Sequence, residues 1–224
     1  MTPEASRRPL LYGYWRSSSA YRVRIALNLK GIEYEQKAVH LVRNSGEQKS
    51  PEYREVNPLG LVPALIHRNH TLVQSVAICE YLEEAFPAPP LLPVDCWGRA
   101  RVRAMVQTIT SEMQPMNNLG VMQYLEQEMQ QDADAIKGWY CHWVARGFGA
   151  IETWLRATAT GAFCHGHDPT LADCFLVPQV YNAERFECDL EPYPLIRRIS
   201  AHCRAQEAFR QAAPENQPDA PRPK

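Results

Sequence analysis

The sequence predicts an α/β domain followed by an all-α one. Three observations carry that expectation. Short apolar runs alternate with helix-spaced segments up to residue 86, a proline-rich stretch interrupts the chain at 87–95, and strand signals all but vanish beyond it. At 224 residues the chain can hold two modest domains with separate cores. The expected boundaries are an α/β domain at 1–86, a linker at 87–95, a helical domain at 96–212 and a polar, Pro-rich tail at 213–224.

The first domain reads strand, helix, strand, helix, strand, strand, helix. "LLYGYW" is a short apolar and aromatic run, and "AYRVRIALNLKG" follows with helical spacing at Val23, Ala26 and Leu27 and closes on Gly31 as a C′ residue. "YEQKAVHL" gives a second strand and "SPEYREV" a short helical segment. "NPLGLVPALIHRNHTLVQS" supplies two strands around the turn "RNH", with Pro63 at the start of "PALI", where a strand tolerates proline. The third helix, "SVAICEYLEEAF", begins at Ser75, read as its N-cap, and stops before Pro87.

Beyond the linker, Val102, Met105, Val106, Ile109 and Met113 form one helical stripe, and Trp139, Trp143, Ile151, Trp154 and Leu155 another. In "DPTLADCFLVPQVYNAERF", Thr170 and Asp173 have the spacing of a capping box, and Pro178 inside the same helix should bend it.

Composition narrows the function. Twenty-four Lys and Arg against 25 Asp and Glu give a net charge of −1, which argues against a nucleic-acid surface and leaves any anionic ligand to local charge. No run of about 18 apolar residues occurs and the N-terminus lacks a signal-peptide core, so a soluble, cytoplasmic protein without a membrane anchor is expected. The seven cysteines are scattered, without a C-x-x-C pair, and read as small core residues.

The stretch "WRSSSAYRVRIAL" holds the clearest chemistry. Three hydroxyls, Ser17, Ser18 and Ser19, stand at the start of a helix directly after a strand, where free backbone N–H groups and the helix dipole favour an anion. A thiolate is one such anion; plain helix capping is the other reading.

With "NPLGLVPAL", "LVQSVAICEYLEE", "NAERF" and the "PYP" of Pro192 to Pro194, this stretch resembles the zeta class of glutathione S-transferases, whose enzymes include maleylacetoacetate isomerase. The resemblance runs from about Leu10 to the end of the chain. It implies an N-terminal thioredoxin-like domain (βαβ-α-ββα) that binds glutathione, a C-terminal helical bundle and a homodimer. It also implies a cis bond before Pro63, with the backbone of Val62 pairing to glutathione. Gln74 and Ser75 then hold its γ-glutamyl end, and Gln48, Gln114 and Asn118, beside Leu119 and Gly120, make further contacts. Ser17 is the first choice for the hydroxyl on the thiolate, ahead of Ser18 and Ser19, and Arg16 and Arg185 are the candidates for the carboxylates of an acidic substrate.

Of Arg22 and Arg24, which follow the serines on the helix, at most one is expected to see the site. Ser19 stands where the family commonly has cysteine, and a hydroxyl cannot form a mixed disulfide. Tyr21 stands where the family usually has tryptophan.

The implied reaction is glutathione-dependent cis–trans isomerisation of 4-maleylacetoacetate to 4-fumarylacetoacetate in tyrosine and phenylalanine breakdown. Maleylpyruvate isomerase, a general transferase or haloacid dehalogenase, and a non-catalytic interaction module are the alternatives. A metal site in "CHGHD" (Cys164, His165, His167, Asp168) is disfavoured, because the segment lacks a second ligand pair at recognised spacing.

Overall fold

The computed structural model describes residues 8–157 and 159–221. The chain divides into two compact units, one made of the residues up to Pro90 together with those from Gln206 on, the other of Leu91–Ala205.

In the first unit, β1 (Leu10–Gly13) leads through a turn into α1 (Ser18–Leu29). The helix stops where Lys30 forms the cap and Gly31 takes φ +64°, a left-handed conformation that glycine adopts without a Cβ clash. Then come β2 (Glu35–Ala38), α2 (Pro51–Val56), β3 (Ala64–His67), β4 (His70–Val73) and α3 (Ser75–Ala85). The sheet order is β2-β1-β3-β4, with β2 parallel to β1 and the other two pairings antiparallel. This is the expected thioredoxin-like arrangement. Arg68 and Asn69 form the two-residue hairpin between β3 and β4, both at positive φ, as a turn matched to strand twist requires.

Apolar residues of α1 (Val23, Ile25, Ala26, Leu27) and α3 (Ile78, Cys79, Leu82) are buried with Leu11, Ala64 and Leu65 of the sheet. Lys30 is buried too, its ammonium 2.7 Å from Glu83 and donating to the carbonyls of Phe86 and Pro89.

Two expectations are corrected here. Gln74, not Ser75, occupies the cap position of α3, and Ser75 is its first helical residue. Residues 206–221 are neither part of the helical unit nor an extended tail. Helix α9 (Glu207–Ala212) packs on α1, Gln217 is buried, and Asn28 Nδ2 donates to the Ala208 carbonyl at 3.0 Å. The tail's last three residues lie outside the described ones.

The second unit contains α4 (Cys96–Gln107), α5 (Leu119–Gln127), α6 (Ala133–Leu155), α7 (Leu171–Arg185) and α8 (Pro194–Arg204). The stripe from Val102 to Met113 is buried throughout and continues from α4 into a π-helical turn at Thr108–Met113. The tryptophan stripe of α6 differs from expectation. Tyr140, Val144, Phe148, Ile151 and Leu155 make the buried face, whereas Trp139 and Trp143 are half-buried and Trp154 is exposed. Gly147 lies on the buried side of the helix, where any Cβ would collide with the Met113 side chain.

Helix α7 opens at Thr170, where the Asp173 carboxylate accepts from the Thr170 backbone N–H and hydroxyl, both at 2.8 Å, and from the Cys164 N–H at 2.8 Å. Burial pushes the Asp173 carboxyl above its usual value, outweighing these hydrogen bonds. Pro178 lies inside α7 without ending it. Among the described residues no helix is long and apolar enough to cross a membrane.

Candidate active site

The strand register decides where the site lies. Tyr12, near the end of β1, sits opposite Ala64, the first residue of β3, and Ala64 sits opposite Val73, the last residue of β4. Gly13 is paired with Ala38 at the end of β2. Four segments therefore meet at one end of the sheet: 14–17 after β1, 39–48 after β2, 62–63 before β3 and 74–75 after β4. They carry Ser17, Gln48, Val62–Pro63 and Gln74–Ser75, all predicted from sequence. Apolar packing holds three of them together, since Tyr14, Val39, Tyr53 and Val62 form one buried cluster with Trp15 and Leu41 against it.

Ser17 is the N-cap of α1. Its hydroxyl oxygen accepts from the Ala20 N–H at 3.3 Å, and its own N–H donates to the Tyr14 carbonyl at 2.9 Å. Capping and anion binding are compatible, because the accepting lone pair leaves the hydroxyl proton to donate elsewhere. Ser18 and Ser19 are the first two helical residues; Ser19 is buried, Ser17 and Ser18 half-buried. Arg16 is half-buried, its guanidinium carbon 5.3 Å from the centre of the Trp15 ring.

The bond between Val62 and Pro63 is cis. The loop before it is pinned through the Leu61 carbonyl, which accepts from the Tyr53 hydroxyl at 2.8 Å and from Asn57 Nδ2 at 2.7 Å. Gln74 has φ 71° and ψ 118°, a strained backbone for a residue with a Cβ, and strain of this kind concentrates at ligand sites. Ser75 is buried and accepts from Arg22 Nη1 at 3.3 Å.

Gln48 is buried as well. Its amide nitrogen reaches the Leu41 carbonyl at 3.4 Å, while its side-chain oxygen meets no donor among the described residues. A buried acceptor left so costs about 1–3 kcal/mol, which a ligand N–H would offset.

The two helical arginines take different partners, and both reach segments at this end of the sheet. Arg22, fully buried, touches the site through Ser75. Arg24, 1% exposed, turns to backbone carbonyls instead, donating to Ala212 at 2.9 Å, Trp15 at 3.0 Å and Tyr14 at 3.5 Å. Burial lowers its pKa to about 10. Sequence reasoning missed this bracing role, and also those of Tyr53 and Asn57. The Arg24 partner Ala212 is 188 residues away, so no local pattern announces it.

In the second unit, Asn118 caps α5, its side chain accepting from the Gly120 N–H at 3.0 Å. Gln114 follows the π-helical turn and is half-buried, and Leu119 is exposed. Arg185 lies in the last turn of α7, exposed, with Nη1 3.3 Å from Asn182 Oδ1. In the segment weighed as a metal site, Cys164 is buried against Asp173, and burial pushes its thiol well up. Arg101 holds that loop by donating to the Cys164 carbonyl at 2.7 Å and to Thr160 Oγ1 at 2.8 Å.

A mixed sheet with a serine-capped helix after its first strand and a cis-proline before its third defines a class. The N-terminal domain model of glutathione S-transferase matches residues 10–84. A probable maleylacetoacetate isomerase from Vibrio cholerae is 50% identical over 211 residues, covering 94% of this chain and 98% of that protein.

Among solved structures, a bacterial zeta-class maleylpyruvate isomerase in its holo form superposes with a TM-score of 0.92 at 46% identity, covering 95% of this chain and all of the other. The maleylacetoacetate isomerase of Anaeromyxobacter dehalogenans, with dicarboxyethyl glutathione and citrate bound in its active site, gives 0.84 at 46% identity, covering 96% and 98%. The chain belongs to the zeta-class glutathione S-transferases, the family of the maleylacetoacetate isomerases.

Proposed function

We propose that the protein is a glutathione-dependent cis–trans isomerase that converts 4-maleylacetoacetate to 4-fumarylacetoacetate. The observation that carries this reading is the meeting of Ser17, Val62–Pro63 and Gln74–Ser75 at one end of the sheet.

The residues fit glutathione in kind. The Val62 backbone offers an N–H and a carbonyl to an extended peptide, as an added strand would. Ser75 and the first amides of α3 suit the γ-glutamyl carboxylate, with Gln74 beside them. The buried Gln48 oxygen suits a peptide N–H. Gln114 and Asn118 are assigned as further contacts from the helical unit. When bound, glutathione would supply a thiolate whose addition to the alkene carbon permits rotation about the former double bond before its elimination restores the alkene.

The chain's own work is to keep that sulfur ionised and to orient the diacid. The Ser17 hydroxyl donates a hydrogen bond to the sulfur, and the N-terminus of α1 adds its positive end. Ser18 and Ser19 enlarge the donor cluster, and each unit of lowered thiol pKa corresponds to about 1.4 kcal/mol. Arg16 and Arg185 take the substrate's carboxylates, a task suited to a guanidinium that stays charged and binds with two parallel hydrogen bonds. Glutathione is regenerated and serves as a coenzyme.

Most of the glutathione-binding role falls to residues up to 86, and the helical segment from 96 adds Gln114, Asn118 and Arg185, 87–95 linking them. A cytoplasmic homodimer serving tyrosine and phenylalanine breakdown completes the reading. Maleylpyruvate is the second substrate to test, because the zeta-class structure with the TM-score of 0.92 is named for it.

The test is a spectrophotometric isomerase assay with maleylacetone and maleylpyruvate, each with and without glutathione. Glutathione-dependent turnover favouring maleylacetone supports the proposal, and preference for maleylpyruvate replaces the substrate. No isomerisation of either removes the activity.

A further inference from the structure

The last described residues return to the turn that carries Ser17. From α9 onward the segment is tied to the rest of the first unit at four places. Asn28 Nδ2 holds the Ala208 carbonyl at 3.0 Å, Arg24 Nε holds the Ala212 carbonyl at 2.9 Å, and Gln36 Nε2 reaches Gln217 Oε1 at 3.1 Å. The fourth tie is the Trp15 N–H, which donates to Asp219 Oδ2 at 2.9 Å across 204 residues of sequence.

Trp15 is therefore held from both sides of its backbone. Its N–H points at a carboxylate, and its carbonyl accepts from Arg24 Nη2 at 3.0 Å. The two charges favour each other as well, Asp219 being among the groups that raise the pKa of Arg24 against the burial that lowers it. The same guanidinium reaches the Tyr14 carbonyl at 3.5 Å, and that carbonyl also accepts from the Ser17 N–H at 2.9 Å. Between Asp219 and the Ser17 cap there is thus only one short turn, with its peptide groups fixed at each end.

We infer that residues 206–221 form a strap that positions the thiolate-receiving turn, with Asp219 and Arg24 as positioning residues acting through the Trp15 backbone. The inference rests on the reading that Ser17 meets the sulfur of glutathione. Asp219 touches no reacting atom; its part is to hold the Ser17 hydroxyl and the start of α1 where the sulfur can use them. Hydrogen-bond strength falls steeply with angle, so a small rotation of this turn weakens donation to sulfur without removing the serine.

Geometry and charge make opposite predictions here. A carboxylate near a thiolate disfavours it through space, so if Asp219 acted by charge, its removal would lower the pKa of bound glutathione. If it acts by position, Asp219→Ala raises that pKa, whereas Asp219→Asn, whose side-chain oxygen still accepts from the Trp15 N–H, leaves it at or below the unmodified value.

The experiment titrates the ultraviolet thiolate absorbance of glutathione bound to the unmodified chain, Asp219→Ala, Asp219→Asn and Ser17→Ala. It is paired with amide hydrogen exchange across residues 14–20 and across α6. The expected result is a rise of about half a pKa unit or more in Asp219→Ala, which is about a threefold loss of thiolate below the pKa. Asp219→Asn shows no rise, and exchange quickens at 14–20 in Asp219→Ala while α6 is unchanged.

A lowered pKa in both Asp219 variants, or lost thermal stability with unchanged pKa and unchanged exchange at 14–20, overturns the strap. If Ser17→Ala leaves the pKa unmoved, the assignment of the sulfur's donor to Ser17 fails. The exchange data then still decide whether the strap holds the turn.

Discussion

Replacing Ser17 by alanine separates two things that one hydroxyl does. As the N-cap of α1 it accepts from the Ala20 N–H at 3.3 Å, a long hydrogen bond, so the lost cap costs about 0.5–1 kcal/mol, the lower part of the usual range. As a donor to a thiolate it makes a hydrogen bond to a charged group, worth about 1.5–3 kcal/mol. That corresponds to about 1–2 units in the pKa of bound glutathione at 1.4 kcal/mol per unit.

Ser50→Ala is the matched control. Ser50 caps α2 by accepting from the Tyr53 N–H at 3.2 Å, so its loss removes a similar cap with no thiolate involved. Thermal denaturation should show comparable destabilisation in both variants. Titration of the thiolate absorbance should show an upward pKa shift in Ser17→Ala alone. An unchanged pKa in Ser17→Ala refutes the reasoning and moves the donor to Ser18 or Ser19. Equal shifts in both variants mean that helix stability, and no specific donor, sets the pKa.

Other outcomes follow from the same geometry. Gln48→Ala removes the buried acceptor and should raise the KM for glutathione roughly 5- to 30-fold, about 1–2 kcal/mol, with the acidic substrate's KM little changed; steady-state kinetics with each varied in turn checks this. Arg185→Ala should raise the KM for the diacid roughly 10- to 100-fold and leave glutathione binding intact, and equal loss of both would remove that role. Asp173 supplies the pH test. Its folded pKa lies above the unfolded value, so its titration contributes stability that is full below the unfolded pKa and is lost as pH rises through the folded one. The unmodified chain should therefore gain on Asp173→Asn as pH falls from neutral toward 3.8, and chemical denaturation across that range reads the difference.

What was legible in the sequence was local. The order of strands and helices in the first unit, the turn at Arg68–Asn69, the Thr170–Asp173 cap and the stripe from Val102 to Met113 each depend on spacing within a dozen residues, and each is present. Ser17 was visible as a hydroxyl at a helix start, where capping and anion binding are compatible, whereas the site role of Ser75 came from the family resemblance. What failed was non-local or depended on side-chain size. The tail looked like solvent-exposed chain because its partners, Trp15 and Gln36, are some 180 to 200 residues upstream. Trp139 was misread as core because indole is amphipathic; its Nε1 donates to the Met116 carbonyl at 2.8 Å, which keeps the ring at the edge of the buried face. Gln74 took the cap position through a left-handed backbone that nothing in its side chain foretells.

In the proposed function, one end of the sheet receives glutathione, with its sulfur at Ser17. The most direct measurement is a backbone amide NMR titration of the full chain with glutathione, repeated with S-methylglutathione. Val62 and Ser75 should shift with both ligands, and Ser17, Ser18 and Ser19 should respond differently to the two, because only the first can present a thiolate. Shifts that leave Val62 and Ser75 untouched, or an identical response of the serines to both ligands, would contradict this placement.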